Sequence, residues 1–304
     1  MASINSWIKA ARLRTLPLAL SSIILGSTLA AFEYRMHWTV LLLSVVTALF
    51  LQVLSNFAND YGDSEKGTDN QHRVGPTRTV QSGEITPVQM RKGMVVAASL
   101  ALVVGLALVF VGTIGIPIWK TLLFIILGLA CIVAAVKYTV GEKAYGYRGL
   151  GDLFVFLFFG LTGVVGTFFL HTQHLFWGAW LLGAAVGLFS TGVLNLNNMR
   201  DIVNDFNSGK YTIPVRLGFN KSKLYHLGLI GGGFLCSMLF TAFYFQNIWM
   251  LLPYLSLYLF AKDLKAILLT KDPKLLDPYL KKLSISTLIF VVLHSVAFIA
   301  CVAI

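Results

Sequence analysis

Residues 153–199 read LFVFLFFGLTGVVGTFFLHTQHLFWGAWLLGAAVGLFSTGVLNLNNM and contain no Lys, Arg, Asp or Glu. A helix needs roughly 20 apolar residues to cross the hydrocarbon core of a bilayer. This run of 47 residues is therefore long enough for two membrane-spanning helices. The polar segment from His171 to His174 lies near its middle and predicts the turn between them. The stretch indicates an integral membrane protein.

The rest of the 304-residue chain repeats this pattern of long uncharged runs. Runs that predict one helix each lie at 15–32, 36–59, 93–119, 121–136 and 283–304. The run 224–261 is long enough for two helices, with a break near Gln246. The alternating strands of about ten residues that build a membrane barrel do not fit these solid runs. The predicted fold is all-α, with nine transmembrane helices around a central cavity in one domain, residues 1–304.

The composition excludes the common soluble classes. Hydrophobic residues make up 57% of the chain, charged residues 12%, and the mean hydropathy is +0.76. A soluble domain is typically about a quarter charged. We therefore expect no nucleic-acid partner, despite a formal net charge of +11. The three cysteines lie in apolar runs without C-x-x-C spacing, which gives disulfide, thiol or metal chemistry little support.

The distribution of basic residues predicts the orientation of the chain. If the N-terminus is cytoplasmic, 22 of the 24 Lys and Arg residues lie on the cytoplasmic side, and Arg35 and Lys120 lie outside. The positive-inside rule then predicts an N-in, C-out, multi-pass protein of the inner (cytoplasmic) membrane, in contact with membrane lipid. Residues 1–32 resemble a signal peptide, but eight further spans favour an uncleaved first helix.

Two groups of acidic and amide residues lie at the cytoplasmic ends of predicted helices. Helical spacing places the members of each group on one face, and the two groups look like an internal repeat four helices apart. Carboxylates without His or Cys suit magnesium, which often binds together with substrate phosphates. A single Asp is more simply explained as part of a solvated helix end. Two such groups at the same membrane depth are harder to explain in this way, because Asn and Asp residues within a membrane are energetically costly. The groups are Asn56-x-x-x-Asp60-x-x-Asp63 and Asn197-x-x-x-Asp201-x-x-x-Asp205.

Basic and tyrosine-rich segments accompany these groups. Cations that follow them would neutralise phosphate oxygens, although insertion topology explains each one equally well. A third cytoplasmic loop, from Lys137 to Asp152, is rich in Tyr, Gly and charge. Its tyrosines are either interface anchors or substrate contacts.

These motifs resemble the intramembrane aromatic prenyltransferases of the UbiA superfamily, over nearly the whole chain. The tyrosine-glycine loop and the N-N-x-R-D run point to the menaquinone-pathway branch, which acts on 1,4-dihydroxy-2-naphthoate. Gly67 replaces a third Asp of the general superfamily pattern, and Asp69 matches the pattern of this branch instead. The resemblance is carried by Arg14-Thr-Leu-Pro17, Asn56-Phe-Ala-Asn59-Asp60-Tyr-Gly-Asp63, Gly75-Pro-Thr-Arg78, Tyr145-Gly-Tyr147-Arg148-Gly-Leu-Gly151-Asp152, Asn195-Leu-Asn197-Asn198-Met-Arg200-Asp201 and Val215-Arg216-Leu-Gly218.

The resemblance implies transfer of a polyprenyl group from polyprenyl diphosphate to 1,4-dihydroxy-2-naphthoate, with loss of CO₂ and diphosphate, giving demethylmenaquinone. It implies Mg²⁺, two ions bound with the diphosphate, on Asp60, Asp63, Asp69, Asp201 and Asp205. Asp60, Asp63, Asp201, Asp205, Lys143 and Tyr138 are the expected catalytic residues. The expected substrate contacts are Asn56, Asn59, Lys66, Arg73, Arg78, Lys137, Tyr145, Tyr147, Arg148, Asn197, Asn198, Arg200 and Lys210.

Three alternatives remain open from the sequence. The same chemistry could act on 4-hydroxybenzoate, homogentisate or haem, although the tyrosine-glycine loop argues mildly against these acceptors. A cation-coupled transporter would place its charges near the bilayer midplane rather than at the cytoplasmic rim. An inactive scaffold of a quinone-pathway complex is the third alternative. The oligomeric state is open.

Overall fold

Helices form nearly all of the regular structure in this computed structural model, which describes residues 2–70 and 73–303. Those residues contain no strand, which confirms the predicted all-α class. The helices are α1 (Ile4–Ala11), α2 (Leu16–Phe32), α3 (Trp38–Glu65), α4 (Pro87–Gly112), α5 (Ile118–Lys137), α6 (Gly151–Thr172), α7 (Trp177–Arg200), α8 (Ile202–Asn207), α9 (Ile213–Leu217), α10 (Phe219–Tyr244), α11 (Leu257–Leu269) and α12 (Asp277–Ala303). Short 3₁₀ segments lie at Leu13–Thr15, Tyr145–Arg148, Ile248–Ser256 and Pro273–Leu276.

Eight helical segments among the described residues are long and apolar enough to cross a membrane. The expected second helix of the run 224–261 is divided into the 3₁₀ segment Ile248–Ser256 and the 13-residue α11. Pro253 lies inside the 3₁₀ segment. Proline has no N–H to donate and collides with the preceding turn, so a regular α-helix is not maintained there. The ninth crossing and the orientation of the chain stay predictions.

The long helices pack as two groups. Helices α2, α6, α7, α10 and α12 share a large apolar core that contains five fully buried phenylalanines: Phe168, Phe189, Phe240, Phe290 and Phe298. Helix α3 packs along α4, and both contact α5, which has Ala134 as its single buried residue among its 20 described positions. The two groups enclose a cavity that runs along α2, α3, α5 and α6.

Helix α6 widens into a π-helix at Phe156–Gly166. A π-helix is energetically poor and is frequently found at functional sites. The hydroxyl of Ser22 on α2 donates a hydrogen bond to the Phe159 carbonyl within this segment. Glycines allow close packing on the other side, because a Cβ at Gly160 would lie 2.6 Å from the Gly183 carbonyl oxygen and the Gly187 Cα. The irregular helix is therefore held between α2 and α7.

We expect Gly160→Ala to destabilise the protein by about 1–3 kcal/mol, because the new methyl group meets backbone atoms that have no alternative rotamer. Gly231→Ala on α10 is the matched control, since a Cβ there meets nothing within 4 Å. Alanine is also a better helix former than glycine, so the control itself is not expected to lose stability. Thermal unfolding of both variants in detergent measures the difference, and equal unfolding temperatures would contradict this packing.

The helix that carries the second acidic group is interrupted, which differs from the predicted continuous face. Helix α7 ends at Arg200, Asp201 forms a turn, and α8 begins at Ile202. The guanidinium of Arg200 donates hydrogen bonds to the carboxylate of the adjacent Asp201. Neighbouring residues of a regular helix do not face each other, so this contact accompanies a break in the helix.

Candidate active site

The cavity has a volume of about 1150 Å³. Pockets for small molecules usually have about 300–1,000 Å³, so this cavity is large. Its charged end is lined by residues that include Asn56, Asp60 and Asp63. The lining continues along apolar residues that include Val109 and Leu170. The cavity therefore offers polar contacts at one end and a long apolar channel.

Asp60 is buried and fully engaged at the charged end. Its Oδ1 accepts hydrogen bonds from Arg12 and, at 2.9 Å, from Arg78 Nη1. Its Oδ2 accepts from the Thr79 hydroxyl at 2.8 Å and the Thr79 amide at 3.3 Å. Arg12 belongs to the turn between α1 and α2, and has a positive φ of 51°. The carboxylate thus joins the N-terminal turn to the loop that follows α3.

Arg78 contacts three carboxylates of the first group. Its Nη1 donates to Asp60 Oδ1 at 2.9 Å, its Nη2 lies 3.6 Å from Asp63 Oδ2, and its Nε lies 3.4 Å from Asp69 Oδ1. The Arg73 Nε adds a second cation, 3.2 Å from Asp69 Oδ1. A planar guanidinium can donate in several directions at once, so Arg78 holds the three acids around one point.

Lys210 connects the first acidic group to the second. Its Nζ lies 3.9 Å from Asp63 Oδ2 and 3.8 Å from Asp205 Oδ1. Burial alone would lower the pKa of Lys210, but the two carboxylates raise that pKa well above its ordinary value. A backbone contact adds to this link, because Asn204 Nδ2 donates to the Thr68 carbonyl at 2.8 Å. The two motifs therefore meet in space, although Asp63 and Asp205 are 142 positions apart in the sequence.

The remaining acid of the second motif, Asp201, pairs with Arg200. The guanidinium of Arg200 also donates to Asn197 Oδ1 at 2.9 Å and to Asp277 Oδ1 at 2.5 Å. Asp277 begins α12 and lines the cavity, whereas Asp201 and Asp205 do not contribute to the lining. Arg200 therefore connects the second motif to the last helix.

The amide residues support the site from both motifs. Asn56 Nδ2 donates to the Ala11 carbonyl at 2.8 Å and lies 3.1 Å from the Thr15 hydroxyl. Asn59 and Asn197 line the cavity, and Asn198 is buried with no hydrogen-bond partner for its Oδ1. Asn56 fixes the turn that contains Arg12, so its observed contacts position a neighbouring side chain.

The tyrosine-rich loop is divided between the cavity and the surface. Tyr138 and Tyr145 line the cavity, and burial raises the pKa of both phenols, which keeps them neutral hydrogen-bond donors. The Tyr147 hydroxyl donates to Asp63 Oδ1 at 2.8 Å, and Lys66 Nζ lies 3.9 Å from the centre of its ring. Both side chains therefore belong to the acidic site.

Three cations predicted in this loop lie elsewhere. Lys137, Lys143 and Arg148 are exposed, and none contributes to the lining of the cavity. Positive φ angles at Gly141 and Gly149, 89° and 74°, mark turns on either side of Lys143. The structure therefore gives no contact between Lys143 and the cavity, in contrast to the expectation that it is catalytic.

The donor set fits magnesium in its chemistry, although the described part of the chain has no group of three or more His, Cys, Asp or Glu side chains that could hold an ion alone. Both carboxylate oxygens of Asp69 and the Oδ2 of Asp205 are buried without a hydrogen-bond partner. Burial raises the pKa of Asp205 to about 7, and burial followed by the neighbouring Asp63 raises the pKa of Asp69. Although Arg73, Arg78 and Lys210 lie nearby, these carboxylate oxygens accept no hydrogen bond, so they can serve as ligands of a cation bound with phosphate.

Three residues of this site were not identified from the sequence. Arg12 and Thr79 bind Asp60, and Asp277 binds Arg200. Arg12 is one of three basic residues before the first span, where topology already explains a positive charge. Asp277 belongs to neither motif, so no local pattern identifies it.

Comparisons with known proteins identify the relatives of this chain. The sequence profile of the UbiA prenyltransferase family matches residues 19–300. The chain is 40% identical over 278 residues to the 1,4-dihydroxy-2-naphthoate octaprenyltransferase of Escherichia coli (strain K12). The aligned region covers 91% of this chain and 90% of that protein. The identity of this chain to the Haemophilus influenzae protein of the same name is 39% over 297 residues, covering 96% and 95% of the two chains.

Solved structures share the fold. The apo structure of a UbiA homolog from Aeropyrum pernix K1 matches with a TM-score of 0.67 and 15% identity, over 96% of this chain and 98% of that chain. A UbiA homolog from Archaeoglobus fulgidus bound to GPP and Mg²⁺ matches with a TM-score of 0.61 and 14% identity, over 97% and 100%.

Proposed function

Because this chain belongs to the UbiA prenyltransferase family, we propose that it transfers a polyprenyl group from polyprenyl diphosphate to 1,4-dihydroxy-2-naphthoate. The products are CO₂, diphosphate and demethylmenaquinone, which forms in its quinol state because the acceptor is a hydroquinone. The observation that carries the proposal is the joining of both acidic motifs by Lys210 at the charged end of an apolar cavity. Relatives named for this reaction, with identities near 40% over most of the chain, support it.

The cations of the site bind the departing diphosphate. The carboxylates of the site are contacted by Arg12, Arg73, Arg78 and Lys210. Their N–H groups donate to phosphate oxygens when the donor binds, which stabilises the charge that develops as the allylic C–O bond breaks. Lys66 and Arg200 complete the positive surroundings, and Asn59, Asn197 and Asn198 supply neutral contacts.

Asp60, Asp63, Asp69, Asp201 and Asp205 hold Mg²⁺ in this proposal, as two ions bound together with the diphosphate. The ion supplies Lewis-acid stabilisation of the leaving group when it is bound. The buried oxygens of Asp69 and Asp205 that accept no hydrogen bond support this role. The fold shared with a homolog bound to GPP and Mg²⁺ also supports it.

The acceptor lies beside Tyr138 and Tyr145 in this proposal, at the polar part of the cavity. The neutral Tyr138 hydroxyl donates a hydrogen bond to the acceptor, and the Tyr145 ring lies beside it, so that the acceptor ring is held near the donor. The ring carbon that bears the carboxylate forms the new C–C bond, and its C–CO₂⁻ bond breaks to return the electron pair to the ring. No ring proton has to be abstracted, so a general base at that carbon is not required. The apolar walls keep water away from the allylic cation.

The proposed membrane topology is based on the distribution of Lys and Arg along the chain. The Ile248–Leu269 segment makes a ninth crossing, and the chain is N-in and C-out in the inner membrane, as one domain. The active site then faces the cytoplasm, where both a soluble naphthoate and a diphosphate headgroup are accessible. The excess of Lys and Arg on that side supports this orientation.

Purified protein in detergent with Mg²⁺, farnesyl diphosphate and 1,4-dihydroxy-2-naphthoate tests the function. We expect prenylated naphthoquinol and CO₂ in equal amounts by mass spectrometry, and loss of both on adding EDTA. Parallel reactions with 4-hydroxybenzoate and homogentisate measure acceptor choice. Turnover with only one of those acceptors, in folded protein, would replace the naphthoate by that acceptor; no turnover with any of them would refute the proposal.

A further inference from the structure

Two loops meet beside the acidic site. One connects α5 to α6 and contains Tyr147, and the other connects α8 to α9 and contains Lys210. The Tyr211 backbone N–H donates to the Tyr147 carbonyl at 3.0 Å, which pairs the two loops. Each loop therefore carries a side chain of the site at, or next to, the residue that makes this hydrogen bond.

Arg216 on α9 joins the same two loops through its guanidinium. Its Nη2 donates to the Arg148 carbonyl at 2.6 Å, and its Nε donates to the Tyr211 carbonyl at 3.3 Å. Because the guanidinium is a rigid, planar fork, it fixes the separation of these two carbonyls. We call the hydrogen bonds among Tyr147, Arg148, Tyr211 and Arg216 the loop clasp.

Gly149 lets the guanidinium approach the first loop. Its φ is 74°, a left-handed conformation that glycine adopts readily. A Cβ at this position would lie 3.0 Å from the Tyr211 carbonyl oxygen and 3.2 Å from the Arg216 Cζ. Both distances are shorter than ordinary van der Waals contact, so a larger residue here would push the clasp apart.

Both loops run from the clasp to the same carboxylate, Asp63. The Tyr147 hydroxyl donates to Asp63 Oδ1 at 2.8 Å, and Lys210 Nζ lies 3.9 Å from Asp63 Oδ2. Lys210 Nζ also lies 5.4 Å from the centre of the Tyr147 ring, which is a cation–π distance. The two side chains whose loops are clasped together therefore contact one carboxylate and each other.

The position of Lys210 depends on the backbone of its loop. Its side chain is flexible, and its Nζ lies 3.9 Å from Asp63 Oδ2 and 3.8 Å from Asp205 Oδ1, beyond hydrogen-bond distance. On the α8 side, the Lys210 backbone N–H donates to the Asp205 carbonyl at 2.8 Å. On the other side, the clasp holds the next residue, Tyr211. Release of the clasp therefore removes one of the two backbone supports of Lys210.

We propose that Arg216 is a positioning residue that keeps Lys210 beside Asp63, so that both acidic motifs form one diphosphate-binding surface. This inference rests on the proposed function and adds a residue on which its diphosphate site depends. Arg216 does not line the cavity, so it acts through the two loops rather than by touching a substrate. A displacement of about 1 Å at a reacting group can cost about 10²-fold in rate, so a residue outside the cavity can control turnover.

A simpler explanation of Arg216 is insertion topology, which favours positive charge beside a membrane-spanning helix. Lys221, near the start of α10, fits that explanation because it is exposed and does not line the cavity. Arg216 differs from it, since its guanidinium donates to carbonyls of two separate loops. The two explanations predict different results for substitution of Arg216.

Matched substitutions separate these explanations in purified protein with Mg²⁺, farnesyl diphosphate and 1,4-dihydroxy-2-naphthoate. We expect Arg216→Met to lower kcat about 10- to 100-fold and to leave the KM for the naphthoate within about twofold of wild type. Arg216→Lys keeps the charge but loses the fork, so it is expected to restore part of kcat. Lys221→Met removes the same charge and is expected to leave kcat unchanged. Equal kcat values for wild type and Arg216→Met would overturn the proposal.

A double-mutant cycle tests whether Arg216 acts through Lys210. Once Lys210→Met has removed the ammonium group, Arg216 has no charge left to position. We therefore expect the variant with both substitutions to have the kcat of Lys210→Met, within about twofold. Losses that multiply in the double variant, or a Lys210→Met protein with wild-type kcat, would contradict the proposal.

Inorganic diphosphate with Mg²⁺ gives a readout that needs no turnover. We expect these ligands to raise the unfolding temperature of the wild-type protein, and to raise that of folded Arg216→Met protein less. Gly149→Ala disturbs the clasp from the other loop and is expected to behave like Arg216→Met. Gly83→Ala is its control, because Gly83 has a φ of 75° and a Cβ there meets nothing within 4 Å.

The same measurement separates this inference from the proposed function. An equal rise in unfolding temperature for the wild type and Arg216→Met would refute the role of Arg216. If the wild-type protein turned over no acceptor, while the effect of diphosphate still depended on Arg216, the proposed function alone would fail.

Discussion

Replacing Arg78 with methionine is expected to reduce kcat by about 10²–10³ and to lower the stability of the protein. The side chain contacts Asp60, Asp63 and Asp69, so its loss leaves three neighbouring buried carboxylates with less compensating charge. Removing one partner of a buried ion pair costs about 3–5 kcal/mol. Loss of one donor to a developing anion costs about 10²–10³ in kcat. Thermal unfolding in detergent and kcat with saturating substrates measure the two effects.

Two further variants separate charge from geometry at this position. Arg78→Lys keeps the charge and loses the planar fork, so we expect an intermediate unfolding temperature and a residual kcat. Arg91→Met on exposed α4 surface removes one positive charge and is expected to leave both quantities unchanged. If Arg78→Met unfolded at the wild-type temperature, the three carboxylates would have to be neutral or separated, against the observed geometry.

Asp63→Asn is expected to reduce kcat by about 10²–10³ and to weaken activation by Mg²⁺ by about 10- to 100-fold. Asp63 lies at the junction of both motifs, where it accepts from Tyr147 and contacts Arg78 and Lys210. The amide has nearly the same shape but no charge. The dependence of kcat on Mg²⁺ concentration, measured with purified protein in detergent, gives both numbers.

The control for this variant is Asp263→Asn on α11, whose carboxylate lies 3.7 Å from Lys282 Nζ and does not line the cavity. We expect wild-type kcat and wild-type Mg²⁺ activation from it. An Asp63→Asn protein with unchanged Mg²⁺ dependence and reduced kcat would assign Asp63 to orienting Lys210 and Tyr147 rather than to metal binding.

The sequence predicts the long helices because burial in lipid demands uninterrupted apolar runs. The turn predicted between His171 and His174 is one example, since α6 ends at Thr172 and α7 begins at Trp177. The Ile248–Leu269 segment shows the limit of this reasoning. Its apolar run is long enough for a helix, but Pro253 divides it between 3₁₀ and α conformations.

The candidate site was predictable only where its residues form local motifs. Asp60 and Asp63 share a helix, and their spacing places them together. Arg12 reaches Asp60 across 48 residues, and its role depends on a turn with a positive φ angle. Lys143 is the opposite case. The residues around it in the sequence indicate a site residue, but in the structure its loop places it at the surface.

The link from Lys210 to Asp63 and Asp205 also has a consequence for biogenesis. Ribosomes deliver Asp63 to the membrane long before Lys210 and Asn204, which complete the charged end. A nascent chain with only its first helices inserted therefore lacks Lys210 and the second acidic motif, and its cavity is not enclosed. We therefore expect the proposed ionisation of the allylic diphosphate to begin only after the later helices have been inserted.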